Sequence, residues 1–157
     1  MRLRQTRSRL VGALLAVPTV FLLLGLAQRV NEPDPKALAF TLPANIKWSG
    51  GKTSQQAVLV GDPSKEGLYV VLTKWLQHNN SRPHFHPNDR YITVISGTWW
   101  VGTGANYDPE GMKPIPAGSF VTHYGKQVHY DGARDGEVVL EIVGMGPATS
   151  TQVPPAP

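Results

Sequence analysis

The chain is predicted to fold as an all-β sandwich or small barrel, and three observations predict it. Glycine and proline are abundant, 16 and 14 of 157 residues, which suits a domain with many turns. Behind residue 27 the apolar residues fall into eight or nine short runs bounded by Gly, Pro, Asn, Asp and Ser. No segment there keeps a 3.6-residue apolar period over three turns. The composition, 41% apolar and 17% charged, is that of a globular chain, and the length suits one domain.

The first 27 residues stand apart. Arg2, Arg4, Arg7 and Arg9 precede an uncharged apolar run over residues 10–27 (LVGALLAVPTVFLLLGLA). Gly25 and Ala27 place small residues at −3 and −1 of a cut before Gln28. This is the pattern of a secretory signal peptide. An uncleaved N-terminal anchor is the alternative, since 18 apolar residues reach the lower end of the spanning range. Either reading exports the domain, to the periplasm or the extracellular space, because the arginines hold the N-terminus inside.

Residues 28–36 (QRVNEPDPK) are polar with two prolines and read as a linker. The barrel is expected over residues 37–146. Residues 37–42 and 46–48 are expected as short strands. Residues 56–60 end at Gly61-Asp62-Pro63, a turn signal. Residues 68–76 (LYVVLTKWL) are rich in aromatic and β-branched side chains, as strands are. Residues 91–95 meet the Ser96-Gly97 turn, with residues 98–101 as hairpin partner. Residues 119–124, 128–130 and 137–143 complete the set, and residues 147–157 are expected as a flexible tail.

Several functions are excluded early. The absence of cysteine removes disulfides, thiolate metal sites and cysteine nucleophiles. The net charge of +4 comes from the leader; without its four arginines, 11 basic residues balance 11 acidic ones. No basic stripe remains for nucleic acid. The Gly102 and Gly144 glycine pairs fail the dinucleotide pattern at Tyr107 and Thr149. No P-loop or nucleophile elbow is present.

Chemistry concentrates in histidine. His84 and His86 flank Phe85, so on a strand both imidazoles face one way and could hold one metal ion. Pro83 and Pro87 bracket the pair and limit strand pairing there. Taken alone, two surface histidines on one strand explain the pattern equally well. The frame around them adds more: Gly97 lies eleven residues after His86, and His129 eleven after Gly118.

That frame resembles the cupin superfamily, whose motifs read G(X)5HXH(X)3–4E(X)6G and G(X)5PXG(X)2H(X)3N. The first appears as His84-Phe85-His86, three residues, Arg90, six residues, Gly97. The second appears as Gly118, five residues, Tyr124-Gly125-Lys126, two residues, His129. His78 stands where the leading glycine would be, Tyr124 and Lys126 replace Pro and Gly, and Ala133 replaces Asn. Arg90 takes the place of the family's glutamate ligand. The resemblance is closest to small exported single-domain cupins with an RmlC-like jelly roll.

The resemblance implies a cupin-type double-stranded β-helix, a jelly-roll barrel, with His84, His86 and His129 as metal ligands. It implies one divalent transition metal, Fe(II) or Mn(II), with Zn(II) or Ni(II) as alternatives. Three neutral imidazoles leave the ion's +2 charge unreduced, which favours an anionic substrate. Arg90 cannot ligate a metal. It either turns out of the barrel and pairs with Asp89 or Asp131, or clamps a substrate carboxylate beside the metal, or marks a site that has lost its metal. His123 is a fourth-ligand or acid/base candidate, or else a hydrogen-bonded strand histidine. Gln127 is expected behind His129. Tyr91 and Tyr130 could supply a phenol but suit core packing, and Trp99 and Trp100 should point to opposite sides.

The expected function is an exported metal-dependent oxidoreductase, dioxygenase-like, acting on a small anionic or enolisable molecule, with Arg90 and His123 as catalytic candidates. A non-catalytic ligand- or metal-binding module of the envelope is the alternative. The expected partner is a small molecule, with no nucleic acid, and membrane only through an uncleaved leader. The resemblance also implies a homodimer, and an exposed N-terminal strand could pair with a second copy.

Overall fold

The computed structural model describes residues 31–156; the leader and the first three residues of the linker lie outside them. The chain divides after Ala39. Before that point, Asp34 caps a turn, its carbonyl accepting the N–H groups of Ala37 and Leu38 at 2.9 and 3.0 Å.

Among the described residues the elements beyond that point are one 3-10 turn, Pro43–Asn45, and twelve strands. In order these are β1 Ser49–Gly50, β2 Ser54–Val60, β3 Gly67–Trp75, β4 Asn79–Asn80, β5 His84–Phe85 and β6 Arg90–Ser96. They continue as β7 Thr98–Thr103, β8 Lys113–Pro116, β9 Phe120–His123, β10 His129–Ala133, β11 Val138–Gly146 and β12 Thr151–Gln152. Two antiparallel sheets result. One runs β1-β2-β3-β11-β6-β9 and the other β12-β5-β10-β7-β8, with β4 also paired to β10. This is the jelly-roll barrel the sequence predicts.

Alternation builds the core. Val138, Leu140 and Ile142 of β11 are buried, and Ile142 lies opposite both Val71 of β3 and Ile92 of β6. That row of three β-branched side chains is the cross-strand contact that fixes the register. Trp99 of β7, fully buried, meets it from the second sheet. The Ser96-Gly97 turn joins β6 to β7, and Gly97 has φ +77°, where a side chain would collide with the carbonyl oxygen of Glu137.

Two expectations are corrected. Residues 37–42 and 46–48 are not strands. Pro43 lacks an N–H and starts the 3-10 turn, closed by Asn45 N–H on the Leu42 carbonyl at 2.8 Å. The first strand is instead the two-residue edge β1. The tail does not stay loose. Thr151 and Gln152 pair with Phe85 and His84, and Val153 N–H reaches the Pro83 carbonyl at 2.9 Å. The prolines leave β5 only two paired residues, and the tail supplies its outer neighbour.

Candidate metal centre

Two cross-strand pairs, one from each sheet, build the site. His84 of β5 lies directly opposite His129 of β10. Arg90 of β6 lies directly opposite His123 of β9. The rings of His123 and His129 approach to 3.9 Å between centroids. His86 follows β5 on the same side as His84, and all four histidines are buried.

Backbone carbonyls set the histidine tautomers. Nδ1 of His84 is 2.8 Å from the Arg82 carbonyl, Nδ1 of His86 is 2.8 Å from that of Thr149, and Nδ1 of His129 is 3.0 Å from that of Gln127. A carbonyl only accepts, so each Nδ1 carries the proton and each Nε2 keeps its lone pair. Those lone pairs converge: His84, His86 and His129 offer ligand atoms within 4.8 Å of one another. Nε2 of His84 stands 3.1 Å from Nε2 of His86, lone pair facing lone pair. Two ligands on one ion at about 2.1 Å stand about 3.0–3.4 Å apart, so this contact has the spacing of neighbouring metal ligands. A cation removes the repulsion, and the donor set fits one. Burial, with the Arg90 charge next, lowers His86 to about 3, and burial lowers His129 to about 4, so both are neutral at pH 7.

Arg90 points inward. It shares a strand face with buried Ile92 and Val94, and alternation carries its side chain into the barrel. Its Nη2 reaches His123 Nδ1 at 3.1 Å and His129 Nε2 at 3.4 Å. The expected outward pairing is thus overturned. Asp89 instead accepts the N–H of Gly125 at 2.7 Å. Asp131 Oδ2 is taken by the indole N–H groups of Trp99 and Trp75 at 2.9 and 3.2 Å, and its Oδ1 by the Ser81 hydroxyl at 3.0 Å. Burial alone would raise the Asp131 carboxyl; the positive charge that His123, His129 and Arg90 can carry outweighs it and holds the group below its usual range. Asp131 therefore stands as the carboxylate partner of a buried guanidinium, without touching it.

His123 is not grouped with the three converging ligands. Because Arg90 only donates, His123 Nδ1 must accept, and its proton sits on Nε2. That Nε2 and the Arg90 Nε are buried without partners. Each such orphan costs about 1–3 kcal/mol unless something accepts from it.

Two cavities reach the site. One of about 410 Å³ is lined by His86, Arg90, Gln56, Ser64, Tyr69 and Thr149, among others. A second, of about 250 Å³, touches His84, His86, Arg90, Trp99 and Asp131. Of the remaining candidates, Gln127 serves through its carbonyl rather than its side chain. Tyr91 is exposed and stacks on Phe120, while Tyr130 is buried and exchanges hydrogen bonds with the Asp108 backbone, so neither phenol is grouped with the site. Trp100 lies under Arg134 and Trp99 in the core, on opposite sides as expected. The sequence reading passed over Thr149, Ser81 and Trp75. Asp131 stands in the sequence only as an outward partner for Arg90, although its place two residues after His129 puts both on one face.

No protein-family model matches the chain, and no curated protein does. Solved structures do. The polyketide cyclase RemF from Streptomyces resistomycificus superposes with a TM-score of 0.61 at 13% identity, covering 74% of this chain and 85% of that one. A Klebsiella pneumoniae protein with a double-stranded β-helix domain gives 0.58 at 18%, covering 79% and 98%. A cupin-2 domain from Rhodospirillum rubrum gives 0.57 at 13%, covering 74% and 80%. The likeness is one of fold: the chain folds as a cupin-type double-stranded β-helix.

Proposed function

We propose that this cupin-fold chain is an exported metalloprotein holding one divalent ion, Fe(II) or Mn(II) by preference, on His84, His86 and His129. Its reaction is that of an Fe(II)-type dioxygenase acting on a small anionic or enolisable molecule. One observation carries the metal reading: three carbonyl-pinned imidazoles turn their Nε2 lone pairs on one point. When bound, the ion supplies a Lewis-acidic, redox-active centre with positions open to small ligands. The protein supplies the rest. Fully buried Trp99 and Ile92 give the 250 Å³ cavity an apolar wall beside its polar groups. Arg90 contributes positive charge that attracts an anion, and His123 offers an N–H donor. RemF, by its name, shows that the fold hosts enzymes; a fold does not choose a chemistry, and the substrate class rests on the site charges alone. Export rests on the arginine-led apolar leader.

A non-catalytic binding module is the second reading. What favours it is Arg90, whose guanidinium stands 3.4 Å from the ligand atom of His129. Neither reading calls for nucleic acid, and both leave membrane contact to the N-terminal segment. A homodimer through the N-terminal sheet edge would use β2, which β1 covers only at Gln55 and Gln56.

Elemental analysis of the untagged protein beside its His84→Ala/His86→Ala variant tests the metal. About one equivalent is expected in the parent and none in the variant. No metal in either, even after reconstitution with Fe(II), Mn(II) and Zn(II), overturns it. Oxygen consumption by the Fe(II)-loaded protein with small enolisable carboxylates then separates enzyme from module.

A further inference from the structure

Among the described residues three buried hydrogen-bond donors lack acceptors, and two of them, on Arg90 and His123, belong to one chain of contacts. Arg90 Nη2 donates to His123 Nδ1 at 3.1 Å, which leaves the His123 proton on Nε2. The Nε2–H of His123 and the Nε–H of Arg90 are both buried and unpartnered. Arg90 also lines the 410 Å³ cavity together with His86, and no acidic side chain lines it. Arg90 also lines the second cavity, of about 250 Å³, beside Asp131, but the carboxylate oxygens there are taken by Trp75, Trp99 and Ser81, so the spare donor of Arg90 calls for an acceptor from outside.

Charge says which kind. Arg90 stands where the cupin motif places a glutamate, so this chain has put a cation in the place of an anionic ligand. A divalent ion on the three imidazoles would face that guanidinium with its charge unreduced. One carboxylate answers both: it offsets part of the positive charge of the ion and of Arg90, and it accepts from the fork of Arg90.

We infer that the metal and a small carboxylate bind this site cooperatively, with Arg90 as the protein's anchor for the carboxylate. The anion replaces from solution the negative charge that the motif's glutamate would supply. The inference rests on the metal reading and adds a ligand class and a coupling to it. Arg90 weakens the metal until the anion arrives. By linkage the metal tightens the anion by the same factor.

Equilibrium dialysis of Mn(II) against the untagged full chain, with acetate or with the same concentration of chloride, measures the coupling. Acetate is expected to lower the Mn(II) dissociation constant at least tenfold, and Mn(II) to lower that of acetate equally. In Arg90→Gln, Mn(II) should bind more tightly without acetate, and the acetate effect should fall below twofold. Arg90→Lys keeps the charge without the fork; it should bind Mn(II) as weakly as the parent and lose most of the acetate effect. Circular dichroism confirms that each variant is folded. Mn(II) binding that ignores acetate, or an acetate effect that survives in Arg90→Gln, overturns the coupling and leaves the metal reading standing. No Mn(II) in any arm overturns the metal reading, and the coupling with it.

Discussion

The backbone carbonyl of Thr149 accepts the Nδ1–H of His86 at 2.8 Å, across 63 residues of chain. A histidine of the three-imidazole cluster is thus oriented by the segment that follows the last long strand. Partners of this kind fix the tautomer and raise ligand basicity, and their loss costs about 10–100-fold in metal affinity. Deleting residues 149–157 should weaken Mn(II) binding by about that factor, with His84 still held by Arg82 and His129 by Gln127. Equilibrium dialysis reads it, with thermal unfolding as the check on folding. Unchanged affinity in the folded truncation would remove the tail from the site.

Stability of the metal-free protein should fall as pH drops below about 6.5, the ordinary histidine value. Burial holds His86 and His123 near about 3 and His129 near about 4. Between those values and 6.5 the unfolded chain binds protons that the folded chain refuses, so acid favours unfolding. Each histidine contributes a slope of about 1.4 kcal/mol per pH unit across that window. Urea unfolding at pH 7, 6 and 5 measures the sum, and His123→Phe should remove about one such increment. A flat profile would mean that the imidazoles are solvated.

The parts of this arrangement that were legible in the sequence are local. The His84-Phe85-His86 alternation and the turns at Gly97 and Gly118 need only neighbours in the chain, and φ values of +77° and +85° at the two glycines show why the spacing holds. Arg90 was harder. Tyr91, Thr93 and Ile95 offer as apolar a face as Ile92 and Val94, so the strand does not reveal which side is inward. Pairing decides it, with Ile92 set against Ile142 and Arg90 against Gly144 and His123. The tail shows no alternation, and its partner β5 lies far off in sequence. Residues 37–42 mislead in the opposite sense: they are apolar, but no strand pairs with them.

Lys126 has φ +63° at a position where the motif carries glycine. Its N–H reaches the His86 carbonyl at 2.7 Å, which holds the backbone in the left-handed region. A side chain there costs about 1–2 kcal/mol, partly offset by about 0.4–1 kcal/mol of extra chain entropy when glycine unfolds. Lys126→Gly should therefore stabilise the protein by about 0.5–1 kcal/mol in urea unfolding, with metal content unchanged. A loss of stability would show that the exposed lysine makes contacts that outweigh the strain.

Asp131 closes the argument about charge, since among the described residues it is the buried acidic side chain. Three donors end on it: the indoles of Trp75 and Trp99 on Oδ2 and the hydroxyl of Ser81 on Oδ1. Asp131→Ala leaves two indole donors unpaired and the Arg90 guanidinium without its carboxylate partner, which should cost about 3–5 kcal/mol. Trp99→Phe removes one donor and shrinks a buried aromatic side chain, and should cost about 1–3 kcal/mol. The separation of hydrogen bonding from charge comes from Asp131→Asn, which keeps an acceptor and loses the charge. If Asp131 serves Arg90 electrostatically, Asp131→Asn should cost about 2 kcal/mol alone and clearly less in an Arg90→Gln background, since pairs that share a charge are non-additive. Equal costs in the two backgrounds would confine Asp131 to holding the two tryptophans, and the guanidinium would then be balanced by a ligand rather than by the fold.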